Sequence, residues 1–456
     1  MTTTVERAVA GVMSRQYRAV SVGLVALVML VAFEAMAVAT AMPVVAGDLG
    51  GMDLYNLAFS ATLAASVIAT VLGGRWSDVR GPLQPVAVGV ATFVAGLLLA
   101  GFAPNMEVFV AGRFVQGLGA GLIQVSLYVL VARTYPGALH PKVFALFSAA
   151  WVVPSMVGPA IAGFVAENAD WRWIFIGVSL IVVPAALLLW RGTAGQDVTD
   201  GTAEPAPGLG GKLVWATLTA VAAALIQYGS AMKLPGLPLL LAGVVLLALS
   251  LPRLLLPGSF RAAPGLPTAP VLRGLVNGAL MGAEVLIPLM LKSERDLTAT
   301  GAGVVLTIGA LGWSTGSWLK GRGLIGNLAA IRGGAAMIAV GISMVTLVLI
   351  DSMPIAIAYA GMAVSGLGMG ILHPTVSVLV LEMSKTGEEG RNSAAVGVGE
   401  SVFTVVAVAG SGAIFTALGS YLAAFAFTAV LAVLAFLLAP RFAHARTAGT
   451  MEGTAS

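Results

Sequence analysis

Time after time this chain runs for about twenty residues with almost no charge. A helix crossing the hydrocarbon core of a bilayer needs about 20 consecutive, mostly apolar residues. Fourteen stretches qualify: 20–46, 54–74, 84–103, 107–132, 142–166, 171–190, 213–232, 236–256, 270–292, 300–319, 331–350, 354–381, 393–418 and 421–440. Lipid offers no partner to a free backbone N–H or C=O, so such runs must close their hydrogen bonds as helices. The expected fold class is an all-α polytopic membrane protein. Only 10% of the 456 residues are charged, against about 25% in soluble domains. The first run has a cleavage-like Ala39-Thr40-Ala41. It is nevertheless too long for a signal-peptide core of about 7–15 residues, and it reads as the first crossing.

The net charge of +4 does not point to nucleic acid, because the basic residues lie in the short loops. With the N-terminus inside, cytoplasmic segments hold 19 of the 24 Lys and Arg, Arg273 among them. Outer loops hold Arg172, Lys233, Lys292 and Arg295, and Arg113 stays within the membrane. This asymmetry satisfies the positive-inside rule and predicts both termini in the cytoplasm.

The second half of the chain echoes the first. Val115–Val131 (VQGLGAGLIQVSLYVLV) and Val364–Val380 (VSGLGMGILHPTVSVLV) agree at 8 of 17 positions. Glu34 and Glu284 fall 250 residues apart, close to the same offset. The spans divide into an N-terminal six-helix half over 1–190, a polar Gly- and Pro-rich linker over 191–212, an inserted hairpin of two spans over 213–256, a C-terminal six-helix half over 257–440 and a tail over 441–456. Repeated halves with a site at their interface are a hallmark of secondary transporters.

Ionisable residues inside spans face bundle interiors or wet cavities and mark function. Those well inside the predicted spans are Glu34, Arg113, Glu284 and Glu400, with His373 in the inner half of the twelfth span. Burial raises a carboxylate pKa and a nearby arginine lowers it, so Glu34 near Arg113 is either a proton or cation site or a permanent pair. Eleven residues make three helical turns, so Gln124 shares a face with Arg113, flanked by Gln116 and Tyr128. That stripe reads as a cavity lining or as interhelical glue. Asn277 shares a face with Glu284 and suggests a second cavity wall. His373, at the repeat position of Gln124, is a further lining candidate. Glu400 suits a gating or structural role, snorkelling or pairing with His373. The glycines at 117, 119, 121, 366, 368 and 370 read as close-approach points between helices.

No GxxxxGK[ST] loop is present for ATP. Three histidines and no cysteine give no metal cluster. No nucleophile constellation suggests an enzyme.

These motifs resemble the major facilitator superfamily, and within it the fourteen-helix drug:proton antiporters. The loop GRWSDVRG is similar to the superfamily's GxLaDRxGRK through Gly74, Asp78 and Gly81; Val79 replaces the first arginine, with Arg80 beside it. GRFVQGLGAG resembles RxxQGxGa, which implies a proton-transfer role for Arg113. PSMVGPAIAG is similar to the antiporter motif GxxxGPxxGG through Gly158, Pro159 and Gly163, which implies a kinked fifth helix favouring exchange. Trp171-Arg172-Trp173-Ile174-Phe175 matches the WRWIF of the fourteen-helix group. Glu34 stands where that group's LDxTIVNVALP carries its aspartate, and Pro43 matches the proline.

The resemblance implies a major facilitator fold of two six-helix halves plus the hairpin. It implies proton-coupled export of small lipophilic compounds across the cytoplasmic membrane by a monomer. Glu34 and Arg113 would couple protons, and no cofactor would be needed beyond the proton gradient. Expected partners are the small-molecule substrate, protons and the bilayer. A proton-linked symporter or uniporter, and a non-transporting sensor or scaffold, remain alternatives.

Overall fold

The computed structural model describes residues 11–51, 54–194, 209–231, 234–297 and 299–443. Most of the polar linker, Lys233, and the tail beyond residue 443 lie outside them. Among the described residues there are helices and no strands. The α-helices are α1 (Arg18–Asp48), α2 (Tyr55–Arg80), α3 (Leu83–Gly101), α4 (Met106–Thr134), α5 (His140–Asn168), α6 (Arg172–Thr193), α7 (Leu209–Ala231), α8 (Leu237–Leu254), α9 (Ala269–Glu284), α10 (Ile287–Arg295), α11 (Ala299–Gly321), α12 (Asn327–Leu347), α13 (Ala356–Met383), α14 (Glu389–Leu418) and α15 (Tyr421–Ala443). Thirteen helical stretches among the described residues are long and apolar enough to cross a membrane. They coincide with every predicted span but the tenth, over which α11 runs.

Helix ends follow local chemistry. The Asn105 side chain accepts the Val108 N–H at 2.9 Å and caps α4. Gly81, with φ of +77°, turns the chain out of α2 ahead of Pro82.

Two apolar cores organise the bundle. One is built chiefly by α1, α3, α4, α5 and α6. The other is built by α9 to α15. The packing partners also repeat. α4 lies on α2 and α3, as α13 lies on α11 and α12; α1 lies on α5 and α6, as α9 lies on α14 and α15.

Glycines set these distances. A Cβ at Gly117 or Gly121 would strike the α2 backbone carbonyls of Thr62 and Ser66, and one at Gly119 would strike α3 at Phe93. Gly366 and Gly370 meet α11 in the same manner, and Gly368 meets α12 at Gly334. The close-approach reading of these glycines matches the packing. α7 and α8 pair with each other, and α7 lies against both α2 and α14.

The ninth predicted span, 270–292, is not one helix. It breaks between Glu284 and Ile287 into α9 and α10. Pro288 has no N–H to give the Glu284 carbonyl four residues back, and its ring crowds that carbonyl. Leu286 N–H bonds the Ala283 carbonyl at 3.0 Å instead of Gly282. The freed Gly282 carbonyl is taken by the Ser411 hydroxyl of α14 at 2.9 Å. That freed carbonyl is therefore satisfied internally, as a lipid setting demands.

Candidate functional site

Two buried charge clusters stand inside the bundle, one in each core. In the first, Arg113 on α4 pairs with Glu34 on α1 and donates to the Gln116 side-chain oxygen at 2.6 Å. Glu34 and Arg113 are each 4% exposed. Thr62 on α2 bonds the Arg113 carbonyl at 3.1 Å. Gln116 is fully buried, because Gly96 on α3 lets its backbone approach without a Cβ between them. It thus sits within the packing and holds Arg113. Further along the stripe, Gln124 is exposed and Tyr128 is half-buried. Apolar helix packing surrounds this pair, and a lone charge left there by removal of its partner would be strongly destabilising.

The second cluster contains a residue the sequence reading misplaced. Arg273, counted there as cytoplasmic, lies in the second turn of α9 and is 3% exposed. Its charge is met from three other helices. Nε lies 2.8 Å from Glu400 Oε2 on α14, as an ion contact rather than an aligned hydrogen bond. One terminal nitrogen donates to Ser377 Oγ on α13 at 2.6 Å. The other lies 3.4 Å from the Tyr128 hydroxyl on α4 and 2.5 Å from His373 Nε2 on α13. His373 Nε2 also lies 3.2 Å from Glu400 Oε1. The expected Glu400–His373 pairing is present, but Arg273 is the nearer partner of the carboxylate. Partners a hundred or more residues away explain how an arginine enters a span.

Glu284, half-buried, ends α9 at the break. Asn277 does not bond it; its amide donates to Thr404 Oγ1 on α14 at 2.8 Å. The signal that could have located the break was Pro288 itself, inside an otherwise unbroken apolar run.

At the face predicted to be cytoplasmic, α2 meets α14. Asp78, fully buried, accepts the backbone N–H groups of Gly390 at 2.7 Å and Arg391 at 2.8 Å. These are free donors in the first turn of α14, where the helix dipole favours an anion. Gly74 and Gly390 touch backbone to backbone. Close by, Gly321 on α11 rests on Ala145 and Pro141 of α5. Arg80 is exposed. In α5, Gly158 is buried against Met36 and Phe33 of α1, and Gly163 faces Thr40 with room for a Cβ between them. Pro159 lies within α5, its side chain outside the described residues.

At the opposite face, Trp171 Nε1 donates to Asp48 Oδ2 at 3.0 Å, and Arg172 reaches the same oxygen at 3.3 Å. Arg172 also bonds the Ala103 carbonyl at 3.3 Å, tying α1, α6 and the end of α3 together. The Trp171 hydrogen bond, aided by Arg172, holds the Asp48 carboxyl below its ordinary range. Near the first face, burial pushes the Tyr135 phenol up to about 12.

Comparison with known proteins fits this geometry. The family model of the Major Facilitator Superfamily matches residues 24–360. The multidrug transporter protein MdtP of Bacillus subtilis (strain 168) is 24% identical over 386 residues, 80% of this chain and 69% of its own. The probable multidrug-efflux transporter Rv1634 of Mycobacterium tuberculosis (strain H37Rv) is 27% identical over 357 residues, 75% of each. The crystal structure of the human organic anion transporter MFSD10 superposes with a TM-score of 0.72 at 13% identity, covering 92% of this chain and 99% of that one. That last likeness speaks for the fold alone.

Proposed function

The chain belongs to the Major Facilitator Superfamily, and from that premise we propose that it exports small lipophilic compounds from the cell in exchange for protons. It is a multi-pass membrane transporter and not an enzyme. The relatives named as multidrug efflux transporters support the carriage of small compounds. In our reading it crosses the cytoplasmic membrane fourteen times, works as a monomer with both termini inside, and needs no cofactor beyond the proton gradient. Its two six-helix halves rock about the central axis, with the α7–α8 hairpin set beside them. The joined inner ends of α2 with α14 and α5 with α11 support an outward-facing arrangement.

The observation that carries proton coupling is the buried Glu34–Arg113 pair. Within that buried packing Arg113 is the counter-charge of the Glu34 carboxylate. A proton arriving on Glu34 removes the α1 counter-charge and leaves Arg113 with the Gln116 oxygen it already contacts, so the α1–α4 tie is made in one charge state and lost in the other. One proton moving down ~100 mV supplies about 2.3 kcal/mol, enough for a substrate gradient of roughly 50-fold. Glu284, at the helix break and half-buried, is the acidic group we assign to recognition of cationic substrates, with Asn277, Gln124 and Tyr128 as further cavity residues.

The test is efflux from cells or everted vesicles, with and without a protonophore. Glu34→Gln is expected to abolish protonophore-sensitive export while the protein still inserts. Export at the wild-type rate with unchanged pH dependence would make Glu34 purely structural. In proteoliposomes, protons moving with the substrate rather than against it would replace antiport by symport.

A further inference from the structure

We propose that His373, Arg273 and Glu400 form a second proton-binding site, in the C-terminal half, whose protonation releases a latch between the halves at Tyr128. The inference rests on reading the chain as an alternating-access transporter, but not on proton coupling at Glu34.

The argument begins with one nitrogen. His373 Nε2 lies 2.5 Å from an Arg273 terminal nitrogen and 3.2 Å from Glu400 Oε1. An imidazole nitrogen carries either a lone pair or a proton. With the lone pair, Nε2 accepts from Arg273 and faces the carboxylate oxygen with no proton between them. With a proton, it donates to Glu400 and confronts the guanidinium. It cannot satisfy both neighbours at once, so gaining a proton exchanges its partner from Arg273 to Glu400. Imidazole is also the side chain whose ordinary titration falls between pH 5 and 8.

The surroundings make this exchange consequential. The Arg273 nitrogen facing His373 is also the one 3.4 Å from the Tyr128 hydroxyl. Tyr128 belongs to α4 in the first half, where its ring packs on Phe144 and Phe147 of α5. An imidazolium repels that nitrogen, and displacing it from His373 takes it from Tyr128 as well. The guanidinium keeps Glu400 through Nε and Ser377 through its other nitrogen, so only the contact between the halves is lost.

The remaining neighbour from α11 is the neutral indole of Trp313, 5.6 Å from the imidazole ring. The groups facing His373 that bear charge or titrate are thus Arg273, Glu400 and Tyr128. His373 also stands at a mechanically weak point. Pro374 follows it within α13, and the Gly370 carbonyl left without its helical donor is held by Ser317 Oγ of α11 at 3.0 Å. The His373 and Glu400 side chains are each 17% exposed, which leaves a proton a way in.

The chain has no cysteine, so a spin-label pair is simple to install. Ala138→Cys, after α4, and Leu324→Cys, after α11, are both exposed and lie one in each half. Distances are measured on the full chain in lipid nanodiscs, in a Glu34→Gln background that removes the first proton site. Acidification from about pH 8 to about pH 5.5 is expected to raise the longer-distance fraction about fivefold or more. Adding His373→Gln, which keeps a polar group as at Gln124, is expected to remove most of that rise. Tyr128→Phe is expected to give the longer distance already at the higher pH. An equal acid shift with and without His373, or no shift at all, overturns the site.

A second measurement avoids the double variant. In the otherwise native chain labelled with ring-15N histidine, the resonance lost in His373→Gln should convert to the imidazolium form over that pH range. A resonance that stays fixed overturns the proposal. Failure of the export reading would show separately, as efflux indifferent to a protonophore.

Discussion

Asp78 on α2 accepts the backbone N–H of Gly390 on α14 at 2.7 Å, joining residues 312 positions apart. The same carboxylate takes the next N–H, of Arg391, at 2.8 Å. An anion in the first turn of a helix meets both free donors and the positive end of the dipole. Asp78→Asn removes the charge and one acceptor, which costs about 1–2 kcal/mol. The inner ends of the halves should then separate about 5–30-fold more readily, read as the longer distance between labels at Ala138 and Leu324. Gly74→Ala should act in the same direction, because its methyl would fall on the Gly390 carbonyl. Unchanged distances in both variants would show that this contact does not hold the inner face closed.

The Glu34–Arg113 pair makes a different prediction, on stability. Arg113→Gln leaves a carboxylate buried without its counter-charge, a loss of about 3–5 kcal/mol when one member of a buried pair is removed. Adding Glu34→Gln should recover most of the loss, since two neutral amides can bond each other. Thermal unfolding of the purified single and double variants measures this. A double variant as unstable as Arg113→Gln alone would mean that Arg113 stabilises by packing, not by charge.

The sequence showed some of this and hid some, for physical reasons. Spans were visible because lipid forces apolar runs of a set length. Glu34 and Arg113 were visible as a pair because each is the lone charged residue well inside its span, Glu107 standing only at the very start of the second one. Arg273 lies at the start of the ninth predicted span yet was counted with the cytoplasmic charges, because nothing among its chain neighbours shows what would neutralise it in the membrane. Its compensation comes from Glu400, Ser377 and Tyr128, all more than a hundred residues distant. The break at Glu284 was hidden because the apolar run passes straight through it. Asp78 was noticed as a motif residue, but its partners are backbone N–H groups, which carry no side-chain signature.

The break itself is testable. Pro288→Ala restores an N–H four residues after Glu284 and removes the ring that crowds its carbonyl. The ninth span should become more continuous and thermally more stable, with slower export. Ser411→Ala should do the opposite to stability, by about 1 kcal/mol, because the Gly282 carbonyl loses its buried donor. Export rate and unfolding temperature of the two variants decide the matter. Faster export from Pro288→Ala would show that the break is not used in the cycle.

The tie at Asp48 sets a pH dependence whose sign can be worked out. Asp48 is held below its ordinary range by the Trp171 N–H, with Arg172 adding to it. A depressed carboxylate contributes stability above its unfolded value of about 3.9, and that contribution disappears as pH falls through the lower folded value. The carboxylate and Arg172 are both substantially exposed, so the effect is small, at most ~1 kcal/mol. Wild type and Asp48→Asn should therefore unfold a constant few degrees or less apart from neutral pH down to about pH 5, and converge below about pH 4. Thermal scans across that range measure the gap. A gap that widens on acidification would mean that the folded protein binds this proton more tightly than the unfolded chain, which is incompatible with the Trp171 hydrogen bond stabilising the ionised form.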